Sequence, residues 1–127
     1  MQDLDLVYTP VGQLRQLLDS RRVSSAELTE LYLGRISTLN PRLNAFLTVI
    51  ADEAMASARA ADAMLQDGPA AKPFLGIPIS IKDLEVTKGI RTTMGSLVFG
   101  DTIPDLDSVV SERVRGSGAV LLGKTNT

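Results

Sequence analysis

Two lysines stand where the sequence could place chemistry. Lys82 directly follows the apolar run 75–81 (LGIPISI), and Lys124 opens the segment 124–126 (KTN) that follows a second apolar run, 119–122 (AVLL). Near-continuous apolar runs of this kind are typical of buried parallel strands. In an open α/β sheet, ligands bind beyond the carboxyl ends of the strands. We therefore expect both lysines at the same edge of one sheet, as candidate site residues.

Lys82 is the stronger candidate for a base. At the end of a buried strand it would be partly desolvated, which favours the neutral amine that a base requires. Making a lysine neutral at pH 7 costs about 4 kcal/mol, which burial or a second cation would have to supply. Asp83 would oppose this if it touched Lys82, but successive strand residues point to opposite faces. Spacing alone still favours the simpler interpretation, a lysine that pairs with a carboxylate or extends to water.

One segment matches the sequence pattern of a phosphate-binding loop but not its structural context. Residues 118–125 (GAVLLGKT) match G-x-x-x-x-G-K-[ST], but that loop must follow a strand and open a helix. Here the middle residues are the predicted strand and a helix precedes them. Residues 116–118 (GSG) begin a dinucleotide-type fingerprint, yet Leu121 stands at the third glycine position. We interpret 116–118 as the end of a helix and reject a nucleotide site.

Composition excludes several classes of protein. The chain has 127 residues, no cysteine, no histidine and a net charge of -2. It therefore has no thiol nucleophile, no Ser-His-Asp triad and no usual zinc site of its own, and we expect neither cofactor nor metal. No basic patch suggests nucleic acid, and no apolar run approaches a membrane span. A cytoplasmic protein without membrane association is expected.

The elements that must position the lysines form an α/β pattern. Helices are predicted at 9–19, with Thr9 as cap and Pro10 as first residue, and from a capping box of Ser24 and Glu27 to Asn40-Pro41. A strand at 43–50 and an alanine-rich covering helix at 51–66 follow. Strand 75–82, a helix capped by Asp107 or Ser108, and strand 119–122 then form a parallel crossover unit. Pro78 should lie at an edge or an irregularity of the sheet.

Several ordered blocks together resemble the amidase-signature family. The resemblance covers nearly the whole chain and is strongest from Gly76 to Asn126. The blocks are 76–83 (GIPISIKD), 87–89 (TKG), 92–96 (TTMGS), 107–110 (DSVV) and 116–126 (GSGAVLLGKTN), with the capping box, 44–46 (NAF) and the alanine-rich helix upstream. Their agreement in order makes this resemblance more specific than a single motif.

The resemblance implies a fold, an activity and one site residue. Residues 1–127 would be the N-terminal part of a single domain, with 1–70 a mainly helical wrap and 71–127 the start of a mixed core sheet. The family hydrolyses or transfers small-molecule amides through a Ser–cis-Ser–Lys triad, and Lys82 matches its lysine. The serine-rich segment that supplies both serines lies downstream of the block ending at Asn126. We therefore expect the chain alone to be inactive and to self-associate through exposed sheet edges.

Three functional alternatives remain open at this stage. The chain is a portion of an amidase, or of the subunit that releases ammonia from glutamine in a tRNA-dependent amidotransferase. Leu84-Glu85 after the lysine block favours a stand-alone amidase. The third alternative, of another class, is a non-catalytic interaction protein that kept this fold and lost the chemistry. The substrate and the oligomeric state are not encoded in these motifs.

Overall fold

The computed structural model describes residues 3–68 and 72–127. Five helices and three strands follow one another in these residues in the order α1 (Asp3–Val7), α2 (Val11–Asp19), α3 (Ser25–Leu43), β1 (Phe46–Val49), α4 (Ala51–Gln66), β2 (Pro78–Lys82), α5 (Val109–Gly116) and β3 (Val120–Thr125), with a 3₁₀ turn at Leu97–Phe99 before α5. The helices and the mixed sheet confirm the predicted α/β class. No helix in these two described stretches has the length and apolar character to cross a bilayer.

The start of α3 is fixed by two separate caps. Ser24 Oγ accepts from the Glu27 backbone N–H, and the Glu27 carboxylate accepts from the Ser24 N–H at 2.8 Å, which confirms the predicted capping box. Asp62 of α4 also accepts from the backbone N–H groups of Ser25 and Ala26, at 2.6 and 3.0 Å. Its carboxylate satisfies N–H groups that have no partner within the helix and so joins α3 to α4.

The end of α3 differs from the prediction. The helix was expected to stop at Asn40-Pro41, but it continues to Leu43 with Pro41 inside its last turn. Asn44 then adopts a left-handed conformation, and the Asn40 side-chain amide both accepts from Phe46 N–H and donates to its carbonyl. Proline removes a single helical hydrogen bond so close to the end, and these tertiary contacts stabilise the extra turn.

The first predicted helix, 9–19, corresponds to α2 but starts two residues later. Helix α2 begins at Val11 and has no side-chain cap, so the expected Thr9 cap is wrong. Thr9 Oγ1 instead donates to the Asp5 carbonyl at the end of α1, a helix that the sequence pattern did not reveal. Leu14 and Leu18 of α2 are buried as expected, in a core cluster with Leu28. Amphipathic spacing predicted the face of this helix but not its first residue.

The sheet has the order β1-β3-β2, with β3 in the centre. Strands β2 and β3 are parallel, as predicted for the crossover unit, and β1 pairs with β3 in the antiparallel direction. Pro78 is the first residue of β2, which is an edge strand of the described sheet, as expected. The predicted strand at 75–82 is thus shorter at its start, and the predicted strand at 119–122 continues to Thr125.

The two faces of the sheet pack against different helices. Val120 and Leu122 of β3 contact the small residues Ala54 and Ala58 of α4, so the alanine-rich helix covers one face as predicted. On the other face, Leu121 packs with Ile81 and Ile90, and Val114 of α5 lies against them. We call these the α4 face and the α5 face. The α5 face carries the polar network described next.

Candidate functional site

A β-bulge decides which face of the sheet Lys124 occupies. Ile79 pairs with Leu121 and Ile81 pairs with Lys124, so two residues along β2 correspond to three along β3. The extra residue turns Lys124 to the same face as Leu121 and Ile81, the α5 face, as bulges characteristically re-aim a side chain. Gly123 permits the bulge: its φ is +154°, and a Cβ there would overlap the backbone oxygen of Thr48 on β1.

Lys124 is completely buried. Its Nζ donates to the carbonyl of Glu85 and to Thr92 Oγ1, both at 2.8 Å, and lies 3.6 Å from Asp83 Oδ1. Three oxygens thus surround a group that carries three N–H donors when protonated. Burial lowers the pKa of Lys124 below its ordinary value, while the Asp83 carboxylate, and to a smaller extent that of Glu85, oppose this shift.

Asp83 is the other fully buried charge in the network. Its Oδ2 accepts from the backbone N–H of Thr93 at 3.0 Å and from the Thr93 hydroxyl. Its own backbone also fixes the strand end, because its N–H donates to the Thr125 carbonyl and its carbonyl accepts from Met94 N–H. Asp83 therefore joins the end of β2, the centre strand and the 92–96 loop.

Glu85 and the start of α5 extend the network. Glu85 Oε2 accepts from the hydroxyl of Ser108 at 2.7 Å, and Ser108 is the N-cap of α5. The buried hydroxyls of Thr87 and Ser111 lie 3.2 Å apart beside it. Asp107, the alternative predicted cap, instead accepts from the Lys88 N–H at 2.7 Å. The segment after β2 is thus anchored to α5 by its side chains.

Lys82 lies at the same end of the sheet as Lys124, but its side chain is in a different environment. It is the last residue of β2, paired in register with Thr125, and by strand alternation its side chain points away from Ile81 and Asp83. Its side chain is exposed, so the expected partial desolvation is absent within these residues. Among the side chains that the structure describes, Lys82 forms no ion pair with a carboxylate. The expectation that Asp83 would point away from it is confirmed.

The 92–96 loop closes over the strand ends. Met94 has a left-handed φ of +56°, and Gly95 follows with a φ of +69°. A Cβ on Gly95 would lie 2.7 Å from Thr127 Oγ1, so glycine permits the loop to approach the residues after β3. Within the described residues, the close approach of Gly95 to Thr127 and the hydrogen bond from Met94 N–H to the Asp83 carbonyl hold the loop at the sheet edge where Lys82 lies.

The structure places the predicted candidates at one edge but in two different roles. Lys82 and the 124–126 segment meet there, as the parallel register requires, yet Lys124 and Thr125 lie within β3 rather than beyond it. The four middle residues of the phosphate-type motif belong mainly to that strand, so its rejection holds. Sequence reasoning missed the partnership of Lys124 with Asp83 and Thr92. The only available signal was a charged residue next to each apolar run.

Comparison with known proteins identifies relatives over this whole region. The model of the family described as Amidase matches residues 27–127. The chain is 47% identical over 121 residues to the A subunit of the glutamyl-tRNA(Gln) amidotransferase of Azoarcus sp. (strain BH72), covering 95% of this chain and 25% of that protein. It is 43% identical over 122 residues to the same component from Dehalococcoides mccartyi (strain ATCC BAA-2266 / KCTC 15142 / 195), with 96% and 25% covered.

Solved structures show the same fold. The native peptide amidase of Stenotrophomonas maltophilia superimposes with a TM-score of 0.85 at 36% identity, covering 94% of this chain and 25% of that one. An amidase family protein from Bacillus anthracis str. Ames gives 0.87 at 30% identity, with 98% and 25% covered. The chain thus spans about a quarter of the length of the curated and solved relatives that it matches.

Proposed function

Because this chain belongs to the amidase family, we propose that it forms the N-terminal portion of a hydrolase that cleaves carboxylic amide C–N bonds, with Lys82 as the base of a Ser–cis-Ser–Lys triad. The position of Lys82 carries the proposal. It is the last residue of β2, the strand next to the centre strand β3, and its side chain is exposed. No described carboxylate pairs with Lys82 or stabilises its ammonium form, so Lys82 can serve as a base where the complete protein encloses it and favours the neutral amine.

The proposed chemistry divides amide cleavage into two steps. Neutral Lys82 accepts, through the bridging serine, the proton of the nucleophilic serine, whose oxygen then forms a bond to the amide carbonyl carbon. The C–N bond breaks, the nitrogen leaves with a proton, and water hydrolyses the acyl-enzyme. Backbone N–H groups stabilise the oxyanion. Both serines and these donors belong to a family segment that has no counterpart in residues 1–127, so the residues shown here supply the base alone.

A second candidate is the glutamine-hydrolysing component of a tRNA-dependent amidotransferase. The observation that favours it is the pair of relatives with an amidotransferase name, at 47% and 43% identity. They weigh against the weaker indication from Leu84-Glu85, which favoured a stand-alone amidase. The bond cleaved is again a carboxamide C–N bond, with ammonia as the leaving group, so Lys82 would have the same role in both candidates.

The test begins with the reading frame that encodes this chain. The polypeptide read to its stop codon is purified, and ammonia release is measured from glutamine and from a short peptide amide. Activity that is abolished by Lys82→Ala and retained by Lys88→Ala, a control at another exposed lysine, supports the proposal. Activity that survives Lys82→Ala contradicts it. A stop codon directly after Thr127 would instead favour the non-catalytic interaction protein.

Preference between the two substrates separates the candidates. An amidotransferase component would release ammonia from glutamine, and its rate would depend on the other proteins of the amidotransferase. A stand-alone amidase would act on the peptide amide without them. Equal loss of both activities in Lys82→Ala would show that one base serves both reactions.

A further inference from the structure

Two acidic residues follow Lys82 within three positions, and both are held on the α5 face. The Asp83 carboxylate binds Thr93 and lies 3.6 Å from Lys124 Nζ, while the Glu85 carboxylate accepts from Ser108 at 2.7 Å. A carboxylate that paired with Lys82 would stabilise the ammonium and make the lysine a poorer base. The arrangement of these two acids therefore bears directly on what Lys82 can do.

Lys124 provides the cation of this arrangement. Asp83 Oδ2 has the two donors of Thr93, but Asp83 Oδ1 has no hydrogen-bond partner in the described residues and faces only the Lys124 ammonium. The charged groups that act on Lys124 are Asp83 and, more weakly, Glu85. The loop contributes the neutral Thr92 and Thr93, and α5 contributes the neutral Ser108 and Ser111. Lys124 is thus the one positive charge that faces the Asp83 carboxylate within this described network.

We propose that Lys124 is a positioning residue that holds the Asp83 carboxylate on the α5 face and so keeps the amine of Lys82, on the opposite side of the strand, free of a carboxylate partner. The inference rests on the proposed function of Lys82 as a base. The Gly123 bulge makes this contact possible, because it turns Lys124 toward Asp83 instead of toward the α4 face.

The physical consequence of losing Lys124 follows from Asp83 Oδ1. Without the ammonium, a buried carboxylate oxygen would have neither a charge partner nor a described hydrogen bond. Burial of such a group is costly, so the carboxylate gains by leaving the α5 face, and Lys82 is the cation next to it in sequence. Pairing would then favour protonated Lys82, and the base would become available only at higher pH.

The experiment uses the full-length enzyme and records kcat/KM for amide hydrolysis against pH. In Lys124→Met we expect the acid limb of the profile to move up by about one pH unit, which lowers the rate on that limb about tenfold. In Lys124→Met/Asp83→Asn the limb should return to the wild-type position, because the carboxylate that could pair with Lys82 is gone. Lys88→Met, at an exposed lysine, is the matched control and should leave the profile unchanged.

Asp83→Asn alone keeps the proposal testable if Lys124→Met does not fold. With Asp83 already held away from Lys82, its neutralisation should leave the acid limb in place. A limb that falls to lower pH in Asp83→Asn would overturn the proposal, as would a limb unmoved in a folded Lys124→Met or moved equally in the double variant. Loss of all activity in Lys82→Ala, measured in parallel, keeps a failure here distinct from a failure of the proposed function.

Discussion

Nζ of Lys124 lies 3.6 Å from Oδ1 of Asp83, and neither side chain has any exposed surface. Two charges removed from water in this way depend on each other, because each compensates for part of the desolvation of its partner. The pair also joins the centre strand to the end of β2, where Lys82 lies. Its energetics can be tested by removing one partner or both.

Loss of one partner should destabilise the protein more than loss of both. We expect Lys124→Met to lower the free energy of unfolding by about 3–5 kcal/mol, because it leaves a buried carboxylate without its counter-charge. Lys124→Met/Asp83→Asn should cost less than the sum of the two single changes, since the remaining groups are neutral. Urea unfolding measures all three variants. Lys88→Met should stay close to wild type, and strictly additive losses would contradict coupling.

The pH dependence of stability should contain a contribution from Lys124. Burial lowers the pKa of Lys124 in the folded state below its ordinary value of 10.5. Between these two values the unfolded chain binds more protons, so the contribution of Lys124 to the free energy of unfolding rises with pH. We expect the stability of wild type relative to Lys124→Met to increase as the pH rises toward the ordinary lysine value of 10.5.

That difference must be measured against the variant rather than from wild type alone. Burial raises the pKa of Tyr32 above its ordinary value of 10.0, so the folded state holds the phenolic proton more tightly and stability falls as pH rises through this region. Tyr32 is present in both proteins and its contribution cancels. A difference that stays constant or shrinks with pH would contradict the predicted direction for Lys124.

Gly123 of β3 should not tolerate a side chain. Gly123→Ala places a Cβ at φ +154° against the Thr48 carbonyl and should cost more than about 1 kcal/mol, the scale of the backbone strain alone. Gly34→Ala is the matched control, because Gly34 lies within α3 with no atom within 4 Å of an added Cβ. It should raise stability by about 0.5–1 kcal/mol. Thermal unfolding distinguishes the two variants. Equal changes in stability would contradict the claim that the bulge requires glycine at position 123.

The two lysines should differ in chemical reactivity. Lys82 is exposed, whereas Lys124 is buried and has three oxygen neighbours. Brief acetylation of the native protein, followed by peptide mass spectrometry, should modify Lys82 and leave Lys124 unmodified. Both should react after denaturation in urea. Modification of Lys124 at the rate of Lys82 in the native protein would show that the network is open in solution.

Local signals predicted much of the fold. The Ser24–Glu27 capping box and the small residues of the alanine-rich helix were recognised because their physical causes lie within a few residues of one another. The parallel crossover followed from the order of two apolar runs around a helix. The end of α3 was not predictable in this way, since Asn40 stabilises the additional turn through Phe46, an interaction with residues beyond the helix.

The sequence by itself determined that two lysines would meet at one edge of a parallel sheet, and its ordered motifs identified the family. Only the tertiary structure decided which lysine is buried. Strict alternation of side chains between the two faces holds only where paired strands match residue for residue. The Gly123 bulge adds one residue to β3, in a backbone conformation that leaves no room for a side chain beside Thr48 on β1. Lys124 is therefore enclosed with Asp83, and Lys82 is left exposed, because strand pairing depends on contacts between segments distant in sequence.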